Sequence, residues 1–115
     1  MATGYSAVQT MAHLSCPGPV LSAARNYLYS LNAELTGTGV YAGTLTVAAL
    51  IAGSESAATS TAPADTPTDA EDAGPAISMV HPDQLAEHYW DMYTRRDRAE
   101  LAHPVELTPQ ASAAV

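Results

Sequence analysis

From Pro19 onward apolar side chains return every three or four positions, at Val20, Ala24, Tyr27, Leu28, Leu31 and Leu35, with Ser22, Arg25, Asn26, Tyr29 and Asn32 between them. That spacing lays one apolar stripe along a helix and predicts a helix over 19–35. Pro19 suits the first helical position, and Gly37 or Gly39 suits the exit. The next segment, Val40 to Ile51, is nearly continuous in apolar or β-favouring residues and has no stripe. It reads as a strand covered on both faces, as in a parallel sheet flanked by helices. Helix, glycine turn and buried strand make half of a βαβ unit.

A second helix is predicted to begin near His81-Pro82-Asp83. Leu85, Ala86, Tyr89, Met92, Tyr93 and Arg96 share one face, and Gln84, Glu87, His88 and Asp91 lie opposite. Asp83 stands at the positive end of the helix dipole and Arg95, Arg96 and Arg98 at the negative end, while Asp91 and Arg95 form a favourable four-residue pair. Pro104 ends this element, so 77–103 is assigned to a C-terminal helix and 104–115 to a frayed, alanine-rich tail. Residues 52–76 are small, acidic and proline-rich. They bury too little to offset backbone ordering, and are read as a flexible loop.

The remaining stretch, 1–51, holds the helix and the strand. Tyr5 to Thr10 reads as the tail of a strand followed by a loop, broken by Pro17-Gly18-Pro19. Tyr5 to Thr10 and Ile77 to Val80 are too short and mixed to flank a buried parallel strand, whose N–H and C=O groups need partners. The pattern therefore predicts an α/β arrangement that is incomplete on its own, with strand 40–51 an orphan.

Composition sharpens this picture. The chain has 115 residues, enough for one domain, and 47% are apolar. Much of that share is alanine, however, with no Phe, one Trp and six Tyr. Alanine buries little area, so the drive to form a core is weaker than the percentage implies. Four Lys plus Arg against 12 Asp plus Glu give a formal charge of −8. Binding to nucleic acid or to an anionic membrane needs cations that this chain lacks. There is no lysine, which excludes Schiff-base chemistry and lysine-cradled phosphates. Cys16 is the single cysteine, so no internal disulfide forms. The first residues lack the basic and apolar regions of a signal peptide. Val40 to Ala52 is shorter than the ~20 residues of a membrane-spanning helix. A soluble cytoplasmic protein is expected.

The run from Pro17 through Ser30-Leu31-Asn32-Ala33-Glu34-Leu35 to Gly39-Val40 resembles the C-terminal third of the short-chain dehydrogenase/reductase family. In that family the active-site helix ends in a similar Ser-Leu-x-x-Glu-Leu-like run, followed by Gly-Val or Gly-Ile and the sixth strand. The resemblance covers most of the chain but only the late part of the family fold. It implies a partial Rossmann-like architecture, the late helix-strand-helix portion of a doubly wound parallel sheet. It also implies NAD or NADP as cofactor, 52–76 in place of the mobile substrate loop, and His81 to Arg98 as the later helix. The family's equivalent of helix 19–35 pairs with its symmetry mate, so a homo-oligomer or a partner chain through this helix is expected. Position by position, the family's catalytic Tyr falls at Pro17, its Lys at Leu21, and its Ser near Gly4, or at Ser6 if a loop residue is gained. Proline has no phenol to shuttle a proton, and leucine cannot lower a neighbouring pKa. Val47-Ala48 stands where the family has Pro-Gly. No Gly-x-Gly-x-x-Gly occurs, so no residue is assigned to the cofactor and none is bound by this chain alone.

Other candidates are weaker. Tyr5-Ser6-Ala7-Val8-Gln9 mimics the family's Tyr-Ser-Ala-x-Lys with Gln in place of Lys, but Pro17-Gly18-Pro19 blocks the helix that should follow. His13, His81, His88 and His103 are scattered, and only His81 and His88, beside Glu87, share a helix, so no zinc site is assigned. Cys16 has no residue placed to depress its pKa. Tyr89-Trp90-Asp91-Met92-Tyr93 either packs the core of the last helix or anchors a partner surface. Two readings of function follow: a fragment or degenerate short-chain dehydrogenase, inactive alone, or a non-enzymatic protein of helix-mediated assembly. No catalytic or metal residue is assigned in either.

Overall fold

Thr44, Leu45, Thr46 and Val47 alternate hydroxyl and apolar side chains, and alternation gives a strand two different faces. A computed structural model describes residues 1–10, 15–60 and 78–109 and makes these four residues a strand. The elements are β1 (Ala2–Gly4), α1 (Pro17–Glu34), β2 (Thr44–Val47), β3 (Leu50–Ile51), α2 (Glu55–Ser60), β4 (Met79–Val80), α3 (Pro82–Arg95) and β5 (Glu100–His103). β2 is central in a parallel sheet ordered β1-β2-β5, and β3 and β4 form a second, two-stranded parallel sheet. The chain is thus mixed α/β with small parallel sheets. Among the described residues no helix is long and apolar enough to cross a membrane.

The strand predicted within 40–51 is not an orphan. β2 spans four residues, not the twelve of 40–51, and is paired on both edges: Thr3 faces Thr46 on one side, and Leu45 faces Leu101 on the other. β5 lies inside the segment assigned to the last helix. That helix stops at Arg95, because Arg96 adopts a left-handed conformation (φ 51°) while its N–H still reaches the Met92 carbonyl. Glu100-Leu101-Ala102-His103 contains no β-branched residue, so local propensity favours helix. Pairing with β2 overrides it. Tyr5 to Ala7 forms a single 3-10 turn after β1, and a second turn, Val105–Leu107, follows β5. Within 52–76, Glu55–Ser60 is helical, and positions 61–77 lie outside the described residues, as do 110–115 of the tail.

The two faces of the sheet differ. On one, Leu45 and Leu101 join Val80, Leu85 and Met92 in the buried core, with Tyr41, Val47, Ala49 and Ile51 packed around it. Complete burial of Leu45 is worth about 1.5–3 kcal/mol. α3 covers this face through Leu85 and Met92, with His88 and Asp91 half-buried beside them. Tyr89 and Tyr93 of the predicted face are turned out instead, as is Trp90, so these three aromatic side chains do not pack the core. α1 covers the other face and buries no residue. Its half-buried row is Leu21, Ala24, Arg25, Leu28, Leu31 and Asn32, whereas Val20 and Tyr27, placed on the predicted stripe, are each 65% exposed.

Candidate functional site

Under α1 the sheet carries Thr3, Thr44, Thr46 and Glu100, all buried. A buried carboxylate is costly unless charge and hydrogen bonds compensate it. Glu100, 3% exposed, is compensated by three side chains. Arg25 donates from Nε to Oε1 at 3.0 Å and from Nη2 to Oε2 at 2.5 Å. The Tyr29 hydroxyl donates to Oε2 at 2.5 Å, and Thr46 Oγ1 donates to Oε1 at 2.5 Å. Arg25 and Tyr29 lie one helical turn apart on α1, so both reach the same carboxylate, and the guanidinium also stacks over the Tyr29 ring at 4.8 Å.

The threonines extend this network with a fixed direction. An ionised carboxylate only accepts, so Thr46 spends its one hydrogen on Glu100. Thr3 must then donate to Thr46 across 3.0 Å, and Thr44 to Thr3 across a longer 3.4 Å. All these hydroxyl dipoles point toward Glu100. Among the described residues no buried side-chain polar atom lacks a partner.

The electrostatics follow from this geometry. Burial pushes the Glu100 carboxyl up, but the hydrogen bonds from Arg25, Thr46 and Tyr29 outweigh it and hold the group below its ordinary range. Burial, then the bond to Glu100, pushes the Tyr29 phenol up to about 12. The hydrogen bond to Glu100 raises Arg25. At neutral pH this is a fixed ion pair with a protonated phenol beside it. Both carboxylate oxygens are engaged, which suits a fastening between α1 and the sheet better than a general base. α1 is tied down further by Ser22 Oγ donating to the Ala7 carbonyl at 2.8 Å and Asn32 Nδ2 to the Ala42 carbonyl at 2.6 Å. Beside the network an open cleft of about 1470 Å³ is lined by Arg25, Tyr29, Asn32, Arg98 and Glu106. Its guanidiniums are committed, Arg25 to Glu100 and Arg98 to Asp97.

Pro17 opens α1 and Leu21 is one turn on, half-buried. A methyl group added at Gly4 would stand 3.8 Å from Ser6 Oγ and 3.9 Å from Leu21 Cδ1. Gly4, Ser6 and Leu21 are therefore neighbours. Cys16 is exposed at the N-cap of α1. His81 caps α3, its Nδ1 accepting from the Asp83 N–H. His88 does not approach His81 but meets His103, with Nε2 and Nδ1 3.0 Å apart. His13 lies outside the described residues. Among those residues no group of three or more His, Cys, Asp or Glu stands together as a metal site would need. Sequence reasoning missed Glu100, hidden in a helix-favouring run, and placed Arg25 and Tyr29 between the apolar positions. A usable signal was present: Arg25 is the only Lys or Arg before Arg95, and it lies four residues before a Tyr.

Comparison with known protein families, with curated proteins and with solved structures gave no match.

Proposed function

We propose that this chain is a non-catalytic assembly module, built on the late part of a short-chain dehydrogenase-like sheet, that pairs with a second copy of itself through the outer face of α1. The observation that carries this reading is the condition of α1. Its 18 residues include none that is buried, and Val20 and Tyr27 face outward. Its charged residues are Arg25, turned inward to Glu100, and Glu34 at its last position. A chain of net charge −8 repels its own copy at long range, and an uncharged face is where two copies can meet without desolvating charge.

The family part of the reading is supported by three parallel strands in chain order, joined through helices that cover opposite faces. It is supported also by the position of Gly4 next to both Ser6 and Leu21, residues the resemblance relates to one active site. Pro17 and Leu21 supply neither phenol nor ammonium there, so no proton path forms. A dinucleotide does not fit the residues present. There is no glycine-rich phosphate loop, the cleft's guanidiniums are occupied, and Pro17 and Pro19 remove two amide donors from the first turn of α1.

Sedimentation velocity tests the assembly. The unmodified chain should sediment as a dimer, and Val20→Asp or Tyr27→Glu should yield monomers with unchanged circular dichroism. A monomeric parent chain, or dissociation by Trp90→Ser on α3 instead, sinks the α1 assignment. Fluorescence titration with NADPH should give no saturable signal, and saturation would overturn the non-catalytic half of the reading.

A further inference from the structure

We propose that His88 and His103 form a two-imidazole site for a divalent late transition-metal ion such as Zn²⁺ or Ni²⁺. The two residues are 15 apart in sequence and lie on different elements, yet packing fixes both. His88 follows Leu85 by three positions and precedes Met92 by four, and both of those residues are buried against the sheet. The imidazole is thus held on the inward row of α3. His103 has the parity of Leu101 on β5 and so projects from the apolar face, with Val47 opposite in register. Its backbone is pinned by the Ala48 N–H, which donates to the His103 carbonyl at 2.8 Å. The rings meet with centroids 5.2 Å apart and planes inclined at 46°, bringing Nε2 of His88 to 3.0 Å from Nδ1 of His103.

That separation matches what coordination requires. Two imidazole nitrogens each about 2.0–2.1 Å from one ion lie roughly 2.9–3.4 Å apart, from right-angle to tetrahedral geometry. To take an ion, both rings turn so that the two lone pairs converge on it instead of along the line between the nitrogens. Neutral imidazole suits zinc, nickel and copper, whereas magnesium and calcium need oxygen donors. The two nitrogens now share one hydrogen. When an ion takes both lone pairs, that hydrogen passes to the other nitrogen of the donating ring, or to water if the pair carries an extra proton. No redox change is involved. Solvent fills the remaining coordination positions, because among the described residues no third His, Cys, Asp or Glu completes the group. The site is independent of the α1 interface, being on the opposite face of the sheet.

Calorimetric titration of the full chain with Ni²⁺ should show saturable one-to-one binding. His88→Ala and His103→Ala should each weaken it at least tenfold, and His13→Gln should leave it unchanged. Because either alanine variant also removes packing between α3 and β5, the ring nitrogens of the unmodified chain are followed by ¹⁵N NMR during addition of Zn²⁺. Nε2 of His88 and Nδ1 of His103 should shift together while the rings of His13 and His81 stay in place. Shifts confined to His13 or His81, or none at any histidine, would overturn the proposal.

Discussion

The two faces of β2 solve the same problem in opposite ways. Toward α3, Leu45 meets Leu85, Met92, Val80 and Leu101, and water is excluded by apolar area alone. Toward α1, Thr44 and Thr46 are just as buried, but their neighbours are a hydroxyl, a carboxylate, a phenol and a guanidinium. An apolar face tolerates reshaping so long as volume is kept. A buried polar network does not, because each member left without its partner costs its full desolvation. α1 is held by specific chemistry added to the packing of its half-buried Leu21, Leu28 and Leu31. This explains how a helix with no buried residue keeps a defined position.

Substitutions can break this contrast, and their effects should be graded. Arg25→Ala strands the Glu100 carboxylate in the interior and should cost about 3–5 kcal/mol in urea unfolding. If the loss is under about 1 kcal/mol, the lock is ornamental and α1 is held some other way. Leu45→Ala opens a cavity on the apolar face and should cost about 2–5 kcal/mol, with α1 still seated. Thr46→Val keeps shape but removes the donor to Glu100 and the acceptor for Thr3, and should cost about 1–3 kcal/mol by the same assay. A neutral result there would erase the distinction between the faces.

The smallest effect is a matter of pH. Glu100 titrates below its ordinary range when folded, so its stabilisation is present above the unfolded carboxyl range of about 4.3 and is lost as pH falls through the lower folded value. Tyr29 has the opposite sign. Its pKa is raised from 10.0 to about 12, so its contribution is complete below pH 10 and disappears as pH rises through about 12. Tyrosinate absorbance should show a phenol ionising near 12 that is missing from Tyr29→Phe. In Glu100→Gln it should move only part of the way down, since burial, the larger cause, persists. Ionisation of every phenol near 10 would show that the network is open to solvent.

Local pattern was enough to mark both long helices and the presence of a strand in 40–51, because an i, i+3, i+4 repeat and β-branched residues act over one or two turns of chain. Even the split faces of β2 were written in Thr44-Leu45-Thr46-Val47, although the surrounding alanines and valines obscured them. Which side of α1 faces inward was not legible, because Val20 and Tyr27 are as apolar as Leu21 and Leu28. Arg25 settles it by reaching Glu100, 75 residues away. The same partner decides β5. Residues 100–103 favour helix in isolation, and become strand because β2 offers an edge of unpaired N–H and C=O groups. The meeting of His88 with His103 has the same origin, since backbone pairing and packing against a common sheet act between residues that no short window of sequence contains together.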